Sequence, residues 1–83
     1  MSKMDLLIQI KDAARQMVDL QKWKENSDSL LETLIHNEEH TKDPKYFNTC
    51  IEQNRRAAER VGQAEKDFEM LLDSYVEEVT KDA

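Results

Sequence analysis

Apolar residues recur at steps of four and three positions near the start of this chain, which is the spacing of the buried seam of a coiled-coil helix. The first members of the pattern are Leu6, Ile10, Ala13, Met17 and Leu20. The next two positions in the same register are Lys24 and Ser27, so the apolar pattern stops there and resumes at residues 30–35. This spacing predicts a first helix over about residues 4–37.

The polar interruption allows two interpretations. A continuous helix in which the seam shifts by one residue would bring Trp23 into the pattern. Alternatively, the helix breaks at residues 26–29, where Ser29 and Glu32 have the spacing of a capping box for a separate helix. We favour the continuous or slightly kinked helix and keep the break as the alternative.

The stretch 37–44 is the strongest break in the sequence, and it ends at the only proline, Pro44. Asn37 is suited to ending a helix in the left-handed conformation. Asp43 predicts an N-cap, because its carboxylate can accept hydrogen bonds from amides of the next turn. Pro44 suits the first helical position, because it has no amide proton and its φ is already helical. We therefore predict a turn over residues 38–43.

The second helix is predicted to run from residue 44 to about residue 79. Its apolar stripe comprises Phe47, Ile51, Asn54, Ala58, Val61, Ala64 or Glu65, Phe68, Leu71 or Leu72, Tyr75 and Val79. Two long helices around a short turn predict an all-α fold: an antiparallel, coiled-coil-like helical hairpin that forms one domain over residues 1–83. Because so small a scaffold has a thin core, we expect a dimer mate or a partner protein to complete a helical bundle.

Placing the centre of the turn near Thr41 predicts which residues face each other across the hairpin. Trp23 then lies opposite Ala58 and Gly62, in the segment of the second helix with the smallest side chains. A bulky indole against small residues would fill space well, and it would account for a glycine inside a helix. The alternative is that Trp23 is an exposed anchor for a partner.

At the open end of the hairpin, both helices carry more apolar residues than a single helix–helix seam can bury. Such a surplus is typical of an interface. The predicted partner-binding residues are Leu7, Ile8, Phe68, Leu71, Leu72, Tyr75 and Val76. Their partner is either another helical protein or a second copy, which would give a homodimeric four-helix bundle.

Charge and composition narrow the classes of function. The net charge is −6, which argues against nucleic-acid binding, because phosphate contacts need a basic face. The small basic cluster of Arg55, Arg56 and Arg60 is either a solvated helix face or a docking site for an acidic partner. No apolar run approaches the length of a membrane span, and the first residues lack a signal-peptide pattern. We therefore predict a cytoplasmic protein that does not insert into a membrane.

The candidate chemistry is slight. His36, Glu39 and His40 match the H-x-x-E-H pattern of inverted zinc proteases. Such enzymes need a further distant ligand and a much larger domain, so we interpret the histidines as solvated residues at a helix end. Cys50 has no visible base and is interpreted as a structural, half-buried thiol. We predict no catalytic residue, no metal site, no cofactor, no small-molecule substrate and no enzymatic activity.

The overall layout resembles the small helical-hairpin co-chaperones of type III secretion systems, which help a helical-repeat chaperone to hold the needle subunit before export. The shared features are a first helix of about forty residues, the Asp43-Pro44 turn, the aromatic Phe47, the Gln63-Ala64-Glu65 segment and Tyr75 in an apolar stretch. The chain departs from those proteins at Trp23 and in its acidic C-terminal end. The resemblance implies a cytoplasmic assembly factor that covers the apolar helical surface of another protein. The alternative is a self-assembling structural subunit.

Overall fold

Two long antiparallel helices form the protein. The structure, a computed structural model, describes residues 2–82 and the side chains of residues 2–81. Helix α1 spans Lys3–His36, the short helix α2 spans Glu39–Lys42, and helix α3 spans Pro44–Asp82. Over residues 2–82 there is no strand. The hairpin measures 62 × 14 × 14 Å, and the predicted all-α helical hairpin is confirmed.

Helix α1 is unbroken from one end to the other. At its start the Ser2 hydroxyl accepts a hydrogen bond from the Asp5 amide (3.1 Å), which is N-cap geometry. The alternative of a break at residues 26–29 is wrong. Ser29 is inside the helix, where its carbonyl accepts a hydrogen bond from the Thr33 hydroxyl (3.0 Å) instead of starting a new helix. An ion pair between Lys24 and Asp28, one turn apart, also supports the continuous helix.

The seam between α1 and α3 follows an uninterrupted heptad pattern, in which buried or half-buried residues alternate at steps of three and four. On α1 these residues are Leu6, Ile10, Ala13, Met17, Leu20, Lys24, Ser27, Leu31 and Leu34. On α3 they are Phe47, Cys50, Asn54, Ala57, Val61, Ala64, Phe68, Leu71, Tyr75 and Glu78. The predicted shift of the seam to Trp23 does not occur. Lys24 and Ser27 occupy seam positions although they are polar. The run of apolar residues is therefore interrupted there, but the heptad spacing of the seam continues.

On α3 the seam differs from the predicted stripe at two informative positions. Cys50 is 4% exposed and Ala57 is fully buried, whereas Ile51 is 43% exposed and Ala58 is exposed. Either member of each pair lies one turn from its neighbours in the stripe, so spacing alone did not separate them. At the first pair the smaller side chain, Cys50, faces α1, and at the second pair the two residues are both alanine. Small residues in a seam allow two helices to approach closely.

A polar layer replaces apolar packing in the middle of the seam. The Asn54 side-chain amide donates to the Ser27 hydroxyl at 3.1 Å and to Oδ1 of Asp28 at 2.6 Å. Lys24 Nζ in turn donates to both Asp28 oxygens at 2.8 and 2.9 Å. Asn54 and Asp28 are equidistant from Thr41, and Ser27 is one residue further from it, which confirms the predicted register of the hairpin.

The turn is more structured than predicted. Asn37 has φ −87° and is not left-handed; the next residue, Glu38, has φ 59° and ψ 29°. The carbonyl of Glu38 accepts a hydrogen bond from the Thr41 hydroxyl at 2.7 Å, inside the α2 turn that follows. Asp43 comes directly before Pro44, and its Oδ1 accepts a hydrogen bond from the Tyr46 amide at 3.2 Å. The predicted N-cap of the second long helix, α3, is therefore confirmed.

Candidate interaction surface

The seam uses several residues that the sequence had assigned to a partner. Phe68, Leu71 and Tyr75 lie at heptad positions of α3 that face α1, and all three are half-buried. They therefore pack within the hairpin, and their predicted contact with a partner stays a prediction. The remaining predicted contacts, Leu7, Ile8, Leu72 and Val76, are exposed, at 43%, 52%, 39% and 61% respectively.

A second heptad stripe of apolar residues runs beside the seam on each helix near the open end. On α1 it contains Met4, Leu7, Ala14 and Val18, with Lys11 in the middle. On α3 it contains Leu72, Val76 and Val79. Apart from Ala14, which is half-buried, these apolar side chains are exposed. We call these eight residues the lateral surface. Ile8 lies at the outer edge of α1 and is not part of it.

The two stripes lie on the same side of the hairpin. In an antiparallel helix pair, the residues that come directly after a seam residue on one helix lie on the same side of the pair as the equivalent residues of the other helix. The structure places Gln21 of α1 and Glu65 and Leu72 of α3 around one shallow groove of about 330 Å³ between the helices. Leu72 belongs to the lateral surface and Gln21 continues its stripe on α1, so both stripes border the same groove.

The opposite side of the hairpin is polar apart from scattered residues. There a groove of about 260 Å³ is lined by Gln16, Leu20, Arg60, Gln63, Ala64 and Asp67. Trp23 lies on this side as well, with the guanidinium carbon of Arg60 6.0 Å from the centre of its ring, within the range of a cation–π interaction.

The predicted packing of Trp23 into space left by Gly62 is wrong. A methyl group added at Gly62 would meet nothing within 4 Å, so no indole occupies that position. Ala58 is exposed and Trp23 is 39% exposed. The register brought Trp23 to the height of Ala58, as predicted. However, Ala58 and Gly62 each come directly after a seam residue of α3 and lie on the lateral side. Trp23 comes directly before the seam residue Lys24 of α1 and lies on the polar side of the hairpin, opposite the lateral side.

The arginines of the predicted acidic docking site contact groups of the protein itself. Arg55 pairs with Glu52 and lies 4.0 Å from Glu59, and Arg56 lies 3.7 Å from Glu52. The hydrogen bond from Arg55 lowers the pKa of the Glu52 carboxyl below its ordinary value. Neighbouring acids thus partly neutralise this cluster, and docking of an acidic partner there stays a prediction.

The histidine motif at the turn does not lie on one helix. His36 ends α1 and His40 lies in α2, with the left-handed Glu38 between them. The ring of His40 instead lies 5.7 Å from that of Phe47, at a tilt of 55°. Within the described part of the chain, no three histidine, cysteine, aspartate or glutamate side chains are grouped so that they could hold a metal ion.

Comparisons with known proteins add no relative. No family model, no curated protein and no solved structure matches this chain. The resemblance to type III secretion co-chaperones therefore stays a prediction from the sequence. Among the described residues, no helix is both long enough and apolar enough to cross a membrane.

Proposed function

We propose that this protein is a non-enzymatic interaction module of the chaperone or adaptor class, which binds the apolar helical surface of another protein chain through its lateral surface. The observation that carries this proposal is the second apolar heptad stripe on both helices. An apolar stripe of heptad spacing is what one helix needs to pack against another. The seam of the hairpin already satisfies the first stripe, so the second is left for a partner.

The surface area of the protein supports the same conclusion. The described hairpin has an accessible surface of 6370 Å². A compact monomer of 9.8 kDa exposes about 5,200 Å² by the general scaling with mass. Binding a helical partner along the hairpin would remove part of this excess, and the exposed apolar residues of the lateral surface are the natural part to cover.

A helical assembly factor of the secretion type would use such a surface in the cytoplasm, without a cofactor, substrate or nucleic acid. A self-assembling structural subunit, the alternative predicted from the sequence, would use the same lateral surface. Both functions need an apolar contact at Leu72, so a charged residue at this position tests whether the lateral surface binds another chain.

The test compares Leu72→Asp with Ser74→Asp in pull-downs from the native source and in co-expression. Both variants place one carboxylate on α3 near the open end, but Ser74 lies on the polar side of the hairpin, where its hydroxyl only donates to the Met70 carbonyl of its own helix. We expect Leu72→Asp to lose the associated chain and Ser74→Asp to retain it. Equal retention by both variants, with helicity unchanged in circular dichroism, would overturn the proposal.

A further inference from the structure

We propose that in the free protein a second copy of this chain covers the lateral surface, with the two-fold axis parallel to the hairpin. In that arrangement α1 of each copy lies on α3 of the other, and all neighbouring helices of the four-helix bundle are antiparallel. The inference rests on the proposed function, because it names the occupant of the same surface when no other helical partner is bound.

The outer positions of the lateral side match each other height by height. The bonds of Asn54 to Ser27 and Asp28 define which residues of α1 and α3 lie at equal height. By that register Met4 lies within about 3 Å of the height of Val76, since two residues of helix rise about 3 Å. In the two-fold arrangement the Met4 side chain of one copy therefore meets Val76 of the other, and apolar meets apolar at the open end.

Further along the hairpin the same register pairs opposite charges. Lys11 of α1 falls at the height of Glu69 of α3, and Glu25 falls at the height of Arg55. All four residues are exposed on the lateral side of the isolated hairpin. Within one hairpin the members of each pair point away from the seam, whereas between two copies Lys11 faces Glu69, and Arg55 faces Glu25 in addition to its own Glu52.

The middle pair matches by size. Val18 is 48% exposed, and it falls at the height of Gly62, beside which a methyl group would have open space. The valine of one copy can therefore lie in the shallow site that the missing side chain of the other leaves. This gives the helix-interior glycine a packing role that the isolated hairpin does not supply.

The alternative two-fold axis, perpendicular to the hairpin, fits less well. If it overlays only the open ends, Lys11 lies near the axis and meets Lys11 of the other copy. If it overlays the whole hairpins, the apolar open end of one copy lies on the charged turn end of the other, near Glu32.

The area also suits a second copy: a stable interface buries about 800 Å² on each partner, and the hairpin exposes about 1,200 Å² more than a compact monomer of its mass.

The first test is the molar mass by size-exclusion chromatography with light scattering, for the wild type, Lys11→Glu, Glu69→Lys and the double variant. We expect a wild-type dimer, a dissociation constant raised about tenfold by each single reversal, and recovery in the double variant, since each dimer contains two copies of the ion pair. Recovery would not arise within one hairpin, because the two side chains lie at the outer positions of different helices and point away from the seam between them. Equal weakening in the double variant would overturn the proposed pairing.

The second test identifies the axis by disulfide cross-linking in a Cys50→Ala background. A mixture of Val18→Cys and Gly62→Cys chains should form a covalent heterodimer, because these positions meet between copies at disulfide distance. Neither chain should cross-link alone, and Lys11→Cys should not cross-link to itself. Strong self-cross-linking of Lys11→Cys would establish the perpendicular axis instead. A wild-type monomer at every concentration, with partner capture still lost in Leu72→Asp, would overturn the dimer and leave the proposed function standing.

Discussion

The side-chain amide nitrogen of Asn54 lies 2.6 Å from Oδ1 of Asp28 on the opposite long helix. The same amide also donates to Ser27, which makes this the polar layer of an otherwise mostly apolar seam. A slip of one heptad would move Asn54 from Ser27 to Leu20 or Leu34, and its amide would lose both partners. The layer therefore sets the register of the hairpin, as a polar seam residue does in coiled coils.

We predict that Asn54→Ala destabilises the hairpin by about 1 kcal/mol, because a typical hydrogen bond contributes that much to stability. For a domain of this size the melting temperature should fall by about 4–8 °C. The matched control is Gln53→Ala, which truncates the neighbouring exposed side chain. Thermal melts followed by circular dichroism check both variants, and an unchanged melting temperature for Asn54→Ala would show that the layer adds no stability.

Acid should weaken the same layer. The hydrogen bond from Lys24, followed by that from Asn54, holds the pKa of Asp28 below its ordinary value of 3.8. Because the folded pKa is lower than the unfolded one, this carboxylate stabilises the fold above the unfolded pKa. That contribution is lost as the pH falls below 3.8 and through the folded pKa.

We predict that urea midpoints of the wild type and Asp28→Asn differ most at about pH 7 and converge as the pH falls below about 4. The same comparison in a Lys24→Met background serves as the control, since it removes the larger cause of the shift. A difference between wild type and Asp28→Asn that stays constant across this pH range would contradict the assignment.

The sequence predicted the hairpin, its turn and its register, because helix spacing, the Asp43-Pro44 cap and the position of Thr41 are local signals. It placed Ile51 rather than Cys50 in the stripe of the second long helix, since both positions continue a helical stripe and hydrophobicity favours the wrong one. Only the approach of α1 selects the smaller side chain. For the same reason the sequence merged the seam residue Phe68 with the exposed Leu72 in one predicted surface.

Two other differences have equally physical causes. Trp23 was assigned to the seam because its neighbour Lys24 looked unsuited to it, yet the lysine can lie along the seam and extend its ammonium group to Asp28. The left-handed residue at the end of α1 is Glu38 rather than Asn37. Asparagine adopts that conformation more readily than glutamate. The preference of the residue type therefore predicted the left-handed position one residue too early in the chain.

The assignment of Ala57 to the seam gives a matched pair of substitutions. Ala57 is fully buried and Ala58 is exposed. We predict that Ala57→Gln destabilises the hairpin by about 1–3 kcal/mol, because a longer polar side chain must overpack the seam, whereas Ala58→Gln changes stability by less than about 0.5 kcal/mol. Urea denaturation measures both. If Ala58→Gln destabilised the hairpin more than Ala57→Gln, the result would favour the stripe predicted from the sequence, which contains Ala58.

The contact between Arg60 and Trp23 provides the last prediction. Because Trp23 is the only tryptophan, tryptophan fluorescence reports on the surroundings of this one ring. We predict that Arg60→Gln lowers stability by about 0.5–1 kcal/mol, as expected for an exposed cation–π pair, and increases quenching by acrylamide, because the guanidinium no longer covers the ring. Arg56→Gln removes the same charge from the same helix, but Arg56 is paired with Glu52. Quenching should therefore stay at the wild-type level in Arg56→Gln, and equal quenching in both variants would show that Arg60 does not shield the indole.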